Sequence, residues 1–546
     1  MPPLDEKDNT NLLRQRQSTT THTATPTNTS TPINTTGPNI SKPKYSSAVV
    51  FYPPSTKYWR IGNQWYDFTE FLAKHPGGAQ AILLSRDRFE DATFVFEAHH
   101  HEFMKTRAII KKYLITDPSI LNEIQTRRPV RGTKEAMDGT HFDSVLDASK
   151  HPDLLDKDAF YSVMRVKVSK YLKDINCRDG GPTTQCLVLF WFVFSLYVMG
   201  MCWTWSTGYF HAAGITAVFG ALLGAFGHNW VHQPKYKDWG WALLSLDVLG
   251  FSSESWFREH NLQHHMYTNT PWDNHFIGTE VRAKMMFERC CCYFFFCWEF
   301  VVLLFSKNQK NIENTDDSFF LFFCFCFFFF FVFFSLFFSQ PFLVTNPTVR
   351  RAWFQKKIMP YIHPIVLCLG VYGNYFAHLV ELLKGNEEFS IGKLFLPIHF
   401  GLMISKWGLG RGFLLTFLFH AIIGLYYFTL ALMNHNAEHT HDVKSRNASK
   451  DWGEAQLHSS ADWGCQLSFL QAGIYLWLNY HTVHHLFPRT DFSHHPQIQA
   501  ILLETIKEHK IKYVTGTFLG IYKEMITSFS TPRSLYDTIT VYGGGV

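Results

Sequence analysis

The stretch Leu478–Pro496, LNYHTVHHLFPRTDFSHHP, holds five histidines in nineteen residues, three of them spaced H-x-x-H-H at His481, His484 and His485. Imidazoles at that density beside an apolar run suit a metal, because the neutral ring is a good ligand for iron, copper, zinc and nickel. Two further clusters share the pattern. In GHNWVHQ, His228 and His232 stand four residues apart, and on a helix that spacing projects both rings from one face. In EHNLQHHMYTN the histidines are His260, His264 and His265. Each cluster lies just outside an apolar run. Eight histidines exceed what one ion usually takes from protein, so two metal ions are the economical expectation. No carboxylate-rich bundle motif and no cysteine accompanies the boxes, which disfavours structural zinc. Activating O2 against an unreactive C–H bond needs a metal that changes oxidation state, and a pair of irons fits.

The apolar runs lie at about 185–205, 209–227, 358–382, 390–407 and 412–434. The first two are close to the roughly 20 residues a bilayer-spanning helix needs, and the short break between them predicts a hairpin with both ends on one side. Polar interruptions make 390–407 a candidate interfacial or re-entrant segment. Aromatic content of 17% beside 17% charged residues also leans towards a membrane. Lys and Arg total 50 against 45 Asp and Glu on 546 residues, too small an excess to argue for nucleic acid, and no such partner is expected. No basic n-region followed by an apolar stretch opens the sequence, so the N-terminus is expected to be cytosolic. The eleven cysteines form no C-x-x-C pairs, so neither a disulfide framework nor a zinc finger is expected.

The texture of the chain changes four times. Residues 1–45 are rich in Thr, Asn, Ser and Pro and are expected to be a disordered tail. Residues 46–120 read as a small soluble domain, 121–183 as a polar linker, 184–515 as the membrane domain and 516–546 as a C-terminal tail.

The three boxes, H-x3-H, H-x3-HH and H-x2-HH, with the flanking HHMYTN and HHLFP, resemble those of membrane fatty acid desaturases over most of 184–515. In that family the boxes lie on the cytosolic side of a helical bundle and bind two irons, which implies those roles for His228, His232, His260, His264, His265, His481, His484 and His485. The family uses a further histidine after its last transmembrane hairpin, where LMNHNAEHTHD offers His435, His439 and His441. His435, next to Asn434, is favoured, and His439 stays open. His494 and His495 read as structural or solvated.

In front of this domain, HPGG at 75–78 places a histidine in a turn where Gly77 and Gly78 allow close approach of a flat group. Together with DATFVFEAHHH it resembles cytochrome b5, whose small fold clamps haem b between two axial histidines. The resemblance makes His75 one ligand and one of His99, His100 and His101 the other, with His100 favoured by the Asp91-Ala92-Thr93 triplet. Bis-histidine ligation leaves no open iron position, so such a domain carries electrons, and fusion raises its effective concentration at the second site.

The resemblances together imply an all-α polytopic membrane protein, a desaturase-type helical bundle with a cytosolic di-iron site, preceded by a small α+β cytochrome b5 domain. They imply O2-dependent desaturation of an acyl-lipid or acyl-CoA substrate, with haem b and two iron ions as cofactors. A cytochrome b5 reductase or similar donor would supply the electrons, and the membrane would be the endoplasmic reticulum. Asp5, Glu6 and Asp8 are unlike an acid-poor transit peptide, with a plastid as the alternative. The fused haem domain points to front-end desaturases, which insert double bonds between an existing one and the carboxyl end. Those enzymes usually carry Gln at the first position of the third box, where this chain has His481. Two rivals remain: a lipid hydroxylase using the same cage, and a non-catalytic haem electron carrier.

Residues 281–340 interrupt the resemblance, with 20 Phe among 60 residues and six of the eleven cysteines. Joining Glu280 to Pro341 gives DNHFIGTEPFLVTNPTVRRAWFQ, a smooth continuation of the family pattern. Val281-Arg282-Ala283 can be encoded with a 5′ splice signal, and FFSLFFSQ as a pyrimidine tract running into CAG. The segment therefore reads as a retained intron; the alternative is a genuine extra hairpin, from 290–306 and 318–338.

Overall fold

The computed structural model describes residues 57–127, 157–273 and 353–530, apart from 63, 89–91, 101, 234, 236–239, 270–272, 384–388, 442–448 and 450. The expected tail 1–45, the segment 281–340 and the candidate ligand His101 lie outside the described residues, as does the side chain of His441.

The N-terminal described segment opens with a hairpin, β1 (Trp59–Ile61) and β2 (Gln64–Tyr66), antiparallel with Trp59 opposite Tyr66. Four helices follow: α1 (Ala79–Arg88), α2 (Thr93–Ala98), α3 (Phe103–Ile110) and α4 (Pro118–Arg127). Trp59, Phe68 and Leu84 are buried at its centre, and the Trp59 indole donates to the Ile82 carbonyl at 2.7 Å.

The stretch expected as linker carries a further helix, α5 (Phe160–Asp174). Phe160, Met164, Val168 and Leu172 recur every four residues and are all buried, an amphipathic stripe the composition of 121–183 concealed.

The membrane part begins with α6 (Thr184–Thr207) and α7 (Phe210–Val231), the expected hairpin. Its turn is Gly208, at φ 63°, where a Cβ would lie 2.8 Å from the Trp407 ring. Val188, Trp191, Phe192, Met199 and Trp205 of α6 are exposed, a lipid-facing surface. Met359–Cys368 (α8) and Gly370–Leu383 (α9) replace the single expected span 358–382. Pro364 inside α8 weakens its hydrogen bonding. Gly370, at the junction of the two helices, lets the Phe428 ring approach, since a Cβ there would meet it.

α10 (Phe395–Asn436) reverses at Gly408, whose φ of 76° and ψ of 168° suit glycine alone. A Cβ on Gly412 would lie 2.5 Å from the Met403 backbone, and His399 packs edge-on to Phe419 at 5.1 Å. Its two arms therefore run antiparallel and correspond to the runs 390–407 and 412–434. Among the described residues, three segments are long and apolar enough to cross a membrane: α6, α7 and Ile391–Asn436, which includes α10.

The second arm of α10 runs parallel to α7. Arg411 donates to the Gly208 carbonyl at 2.9 Å. Further along, a Cβ on Gly220 would meet Ile423 at 3.0 Å and one on Gly224 would meet Tyr427 at 3.9 Å. Small residues let the two backbones approach, as in membrane helix pairs generally. Because the helices stay in step, the end of α7 with His228 and His232 meets the end of α10 with His435.

After α10 come α11 (Trp452–Leu457), α12 (His481–Leu486) and α13 (His495–His509). At the expected boundary of the C-terminal tail, β4 (Thr515–Gly516) pairs in parallel with β3 (Asp462–Trp463), and the expected tail itself carries α14 (Phe518–Ser530). Ile521, Met525 and Phe529 of α14 are buried.

Candidate metal centre

Each box is built by a different local device. His228 lies in the last turn of α7 and His232 follows its end. The second box lies on π-helical turns, Phe257–His264, followed by His265–Tyr267. The wider turn, bonded i to i+5, sets His260 over His265, with Nε2 atoms 3.1 Å apart. The third box forms α12, entered through Leu476 and Trp477 at φ 53° and 55°. Two consecutive left-handed residues cost about 1–3 kcal/mol each and persist only where packing over-determines them. Here Trp477 stacks on Phe492 at 4.5 Å and donates to the Phe469 carbonyl at 2.7 Å.

The nine histidines assemble into two groups. His228, His232, His260, His265 and His484 form one, and His264, His435, His481 and His485 the other; within each group the ligand atoms lie within 4.8 Å of one another. All are buried except His435, which is half-buried. In the first group His228 Nε2 lies 2.6 Å from His260 Nε2 and 3.1 Å from His484 Nε2. In the second, His435 Nε2 lies 2.7 Å from His481 Nε2 and 3.0 Å from His264 Nε2.

The hydrogen bonds on the far side of the rings test whether a cation fits. His264 Nδ1 faces both oxygens of Asp273 at 2.9 Å, and His435 Nδ1 faces the Ser459 carbonyl at 3.2 Å. Each Nδ1 is therefore the N–H, and each neutral ring turns an Nε2 lone pair towards the other. Burial holds the pKa of His264 down at about 3, so protonation does not relieve the conflict. A metal ion among the Nε2 atoms does. His485 follows the same rule, donating from Nδ1 to Gln456 Oε1 at 3.1 Å, with the Thr268 hydroxyl at 3.0 Å. Burial also holds His232, His265, His481, His484 and His485 well below their usual pKa, in the neutral form that binds metal. Both ring nitrogens of His232 are sealed from solvent without a hydrogen-bond partner.

A second pair of imidazoles stands in the haem-domain segment. His75 and His100 face each other with ring centres 6.2 Å apart. An iron midway, with metal–nitrogen bonds of about 2 Å on each side, would space two ring centres by roughly 6 Å. His75 Nδ1 donates to the Gly78 carbonyl at 3.0 Å and His100 Nδ1 to the Phe96 carbonyl at 2.6 Å, which leaves both Nε2 atoms as acceptors. Gly77 is needed for the His75 ring position, since a Cβ there would lie 2.8 Å from Cε1. Gly78 adopts φ +84°.

The family model of fatty acid desaturases matches residues 190–517. The chain belongs to the fatty acid desaturase family. In front of the desaturase domain, the model of the cytochrome b5-like haem/steroid binding domain matches residues 49–117. An acyl-lipid (8-3)-desaturase of Mortierella alpina is 25% identical over 479 residues, covering 83% of this chain and 88% of its own length. Acyl-lipid (8-3)-desaturase B of Dictyostelium discoideum is 23% identical, covering 82% and 85%. A cytochrome b5-related protein of Drosophila melanogaster is also 23% identical, covering 83% of each chain. No solved structure matches significantly. The desaturase family implies iron and the cytochrome b5 domain implies haem, and the residues present fit both.

All nine desaturase histidines singled out in the sequence are brought together. His439 stands apart, its Nδ1 2.9 Å from Glu524. His494 and His495 face the carbonyls of Gly181 and Thr490 at 2.9 and 3.3 Å, a packing role. Sequence reasoning missed the residues that orient the cage: Asp273, Gln456, Thr268 and Asp462. Asp462, fully buried, accepts from the Thr482 backbone N–H at 2.8 Å and from the Tyr513 hydroxyl. Burial raises its pKa to about 6. Thr268, inside the HHMYTN flank, and Asp273, eight residues beyond the box, carried a hint in their positions.

Proposed function

We propose that the chain is an acyl-lipid desaturase in which His228, His232, His260, His265 and His484 hold one iron and His264, His435, His481 and His485 the other, with haem b held by His75 and His100. The observation that carries this reading is the convergence of nine Nε2-bearing rings into two cages whose neighbouring lone pairs need cations. The acyl-lipid carrier is favoured over acyl-CoA by the names of the fungal and amoebal relatives. His481, 3.1 Å from His485 Nε2, is placed to serve the metal where front-end relatives usually carry Gln.

When bound, the irons supply redox chemistry in which O2, two electrons and two protons combine with two hydrogens from adjacent acyl carbons to give the double bond and two waters. The protein's part is positional. Asp273 and Gln456 hold the tautomers of His264 and His485, and Trp256, Phe251 and Tyr427, ring against ring at 5.6–6.1 Å, wall the first group. Trp256 packs 5.7 Å from the His228 ring. No side-chain nucleophile is required. We place the protein in the endoplasmic reticulum membrane, boxes and N-terminus cytosolic, supplied by a cytochrome b5 reductase or similar donor. We also read 281–340 as absent from the mature product.

The test is a fatty-acid profile, with double-bond location, of yeast expressing the full chain beside one lacking 281–340. A new unsaturated acid from the shortened chain is expected. A hydroxylated acid instead would favour the hydroxylase, and membrane-inserted, haem-loaded protein binding no further iron would overturn the di-iron reading.

A further inference from the structure

α5 (Phe160–Asp174) lies in the stretch matched by neither family model, after residue 117 and before residue 190. One side of it is fixed on the desaturase domain. Phe160 packs edge-on to His509 at 5.8 Å, and Lys167 pairs with Glu508 at 2.7 Å, both partners belonging to α13. The Tyr161 backbone N–H donates to the Asp451 carboxylate at 2.7 Å. Its hydroxyl donates at 2.9 Å to the carbonyl of Leu486, the residue after His485.

The other side of α5 reaches into the haem domain. Arg165, 3% exposed, binds one oxygen of Glu97 on α2 and lies over the Phe103 ring of α3, 4.3 Å from its centre. The other Glu97 oxygen takes Arg107 of α3 at 2.7 Å. Glu97 is also 3% exposed, so it divides a buried charge between its own domain and α5, and loss of either arginine leaves that charge under-compensated. Two further contacts brace α2. Phe94 stacks on Trp452 of α11 at 6.0 Å, and Trp452 packs on Tyr161 at 4.8 Å. The His99 backbone carbonyl accepts from Arg489 Nη1 at 2.8 Å. Phe94, Glu97 and His99 all lie within six residues of the haem-facing His100, and Leu486 and Arg489 within four of His485. The helix that delivers the haem histidine is therefore clamped to the segment that carries the third box. A flexible tether would only raise local concentration, whereas a clamp sets one distance and orientation.

We propose that α5 is a dock that holds the haem domain in one fixed pose against the third box, for electron delivery within the chain, and that Arg165 is the residue that positions it. The delivery rests on the di-iron reading above; the dock itself does not. Each electron delivered oxidises ferrous haem to ferric and reduces one ferric iron of the desaturase site to ferrous, twice per double bond, and the reductase returns the haem to ferrous.

The experiment uses the full chain, loaded with haem and iron in lipid nanodiscs, with a protease site inserted between residues 127 and 157. After cleavage of the parent, haem absorbance is expected to co-elute with the desaturase nanodisc. In Arg165→Glu, which sets two carboxylates face to face, the haem fragment should elute apart, and Arg165→Lys should retain part of it. Arg489→Gln loses a charge-assisted hydrogen bond and should speed release on dilution by about tenfold; it carries the test if Arg165→Glu fails to fold. Uncleaved protein is then reduced with dithionite and mixed with O2 and acyl lipid, and haem reoxidation is followed by absorbance against a chelator-stripped baseline. Haem spectrum, haem potential and iron content of Arg165→Glu should match the parent, while reoxidation slows by about tenfold or more. Separate elution of the cleaved parent's haem fragment would overturn the dock, as would parent-like retention in both Arg165→Glu and Arg489→Gln. Reoxidation at the parent rate in a variant that releases its haem fragment would overturn the positioning role. A parent that keeps its fragment but reoxidises at the stripped rate would instead overturn the di-iron reading.

Discussion

Asp273→Asn isolates the orientation of one metal-binding ring from everything else in the cage. The Asp273 carboxylate is 1% exposed, and both its oxygens lie 2.9 Å from His264 Nδ1. Oδ2 also accepts the Asn269 backbone N–H at 2.9 Å. An asparagine of the same shape must place an NH2 where one of these oxygens was. In either orientation that NH2 sits against the His264 N–H, and in one it also faces the Asn269 N–H. The remaining amide oxygen still accepts the His264 N–H, but a neutral amide holds that tautomer less firmly than a carboxylate, so the Nε2–H tautomer, which cannot ligate, gains population. Loss of an outer-shell carboxylate of this kind typically costs 10–100-fold in metal affinity, about 1.4–2.8 kcal/mol. The assay is iron per haem, by elemental mass spectrometry, after equilibration with graded chelator. Asp273→Asn should lose half of its exchangeable iron at roughly 10–100-fold lower free chelator than the parent, with haem content unchanged. Coincident iron-loss curves would refute the reasoning that Asp273 fixes the His264 tautomer.

Gly77→Ala should lower haem occupancy without changing the iron that resists haem extraction, because the new Cβ would lie 2.8 Å from the His75 ring; the haem-to-protein absorbance ratio reads it. Gly220→Val should splay α7 from α10 at a cost of about 1–3 kcal/mol, since its Cβ alone meets Ile423 at 3.0 Å and Phe419 at 3.3 Å. Iron content should fall with it, while Gly401→Val, where nothing lies within 4 Å, should match the parent. In metal-free protein His264 and His495 are both held at about 3 by burial, against 6.5 when exposed. Unfolding therefore takes up protons below pH ~6.5, and stability should fall with acidification by about 1.4 kcal/mol per pH unit for each ring until pH nears its folded value. A denaturant midpoint that stays flat from pH 6.5 to 5 would contradict this.

The site was legible because histidine is rarely spent on apolar helix ends, so spacing nominated eight members of the two cages and the family resemblance offered the ninth, His435. Their partition was not legible. H-x3-HH looks like a single helical face, yet π-helical turns send His260 and His265 to one group and His264 to the other. The reversal inside α10 was half visible, as two apolar runs with a gap, but the reason lies in Gly408 and the contact of Gly412 with Met403, neither of which has a sequence signature. α5 was hidden by its charged face although its buried stripe is regular. The buried groups around the imidazoles were hidden for a different reason: Gln456 lies on the short helix α11 and Asp462 on the two-residue strand β3, elements whose placement depends on the whole fold.

The same geometry fixes the described residues on either side of 274–352. Asp273 is tied to His264, at the histidine end of the bundle. His363 near the start of α8 packs on Tyr522 and Phe529 of α14, and α14 holds His439 through Glu524, three residues past the end of α10. Asp273 and the start of α8, the described residues on either side of 274–352, therefore lie at the same end of the bundle as the two histidine groups.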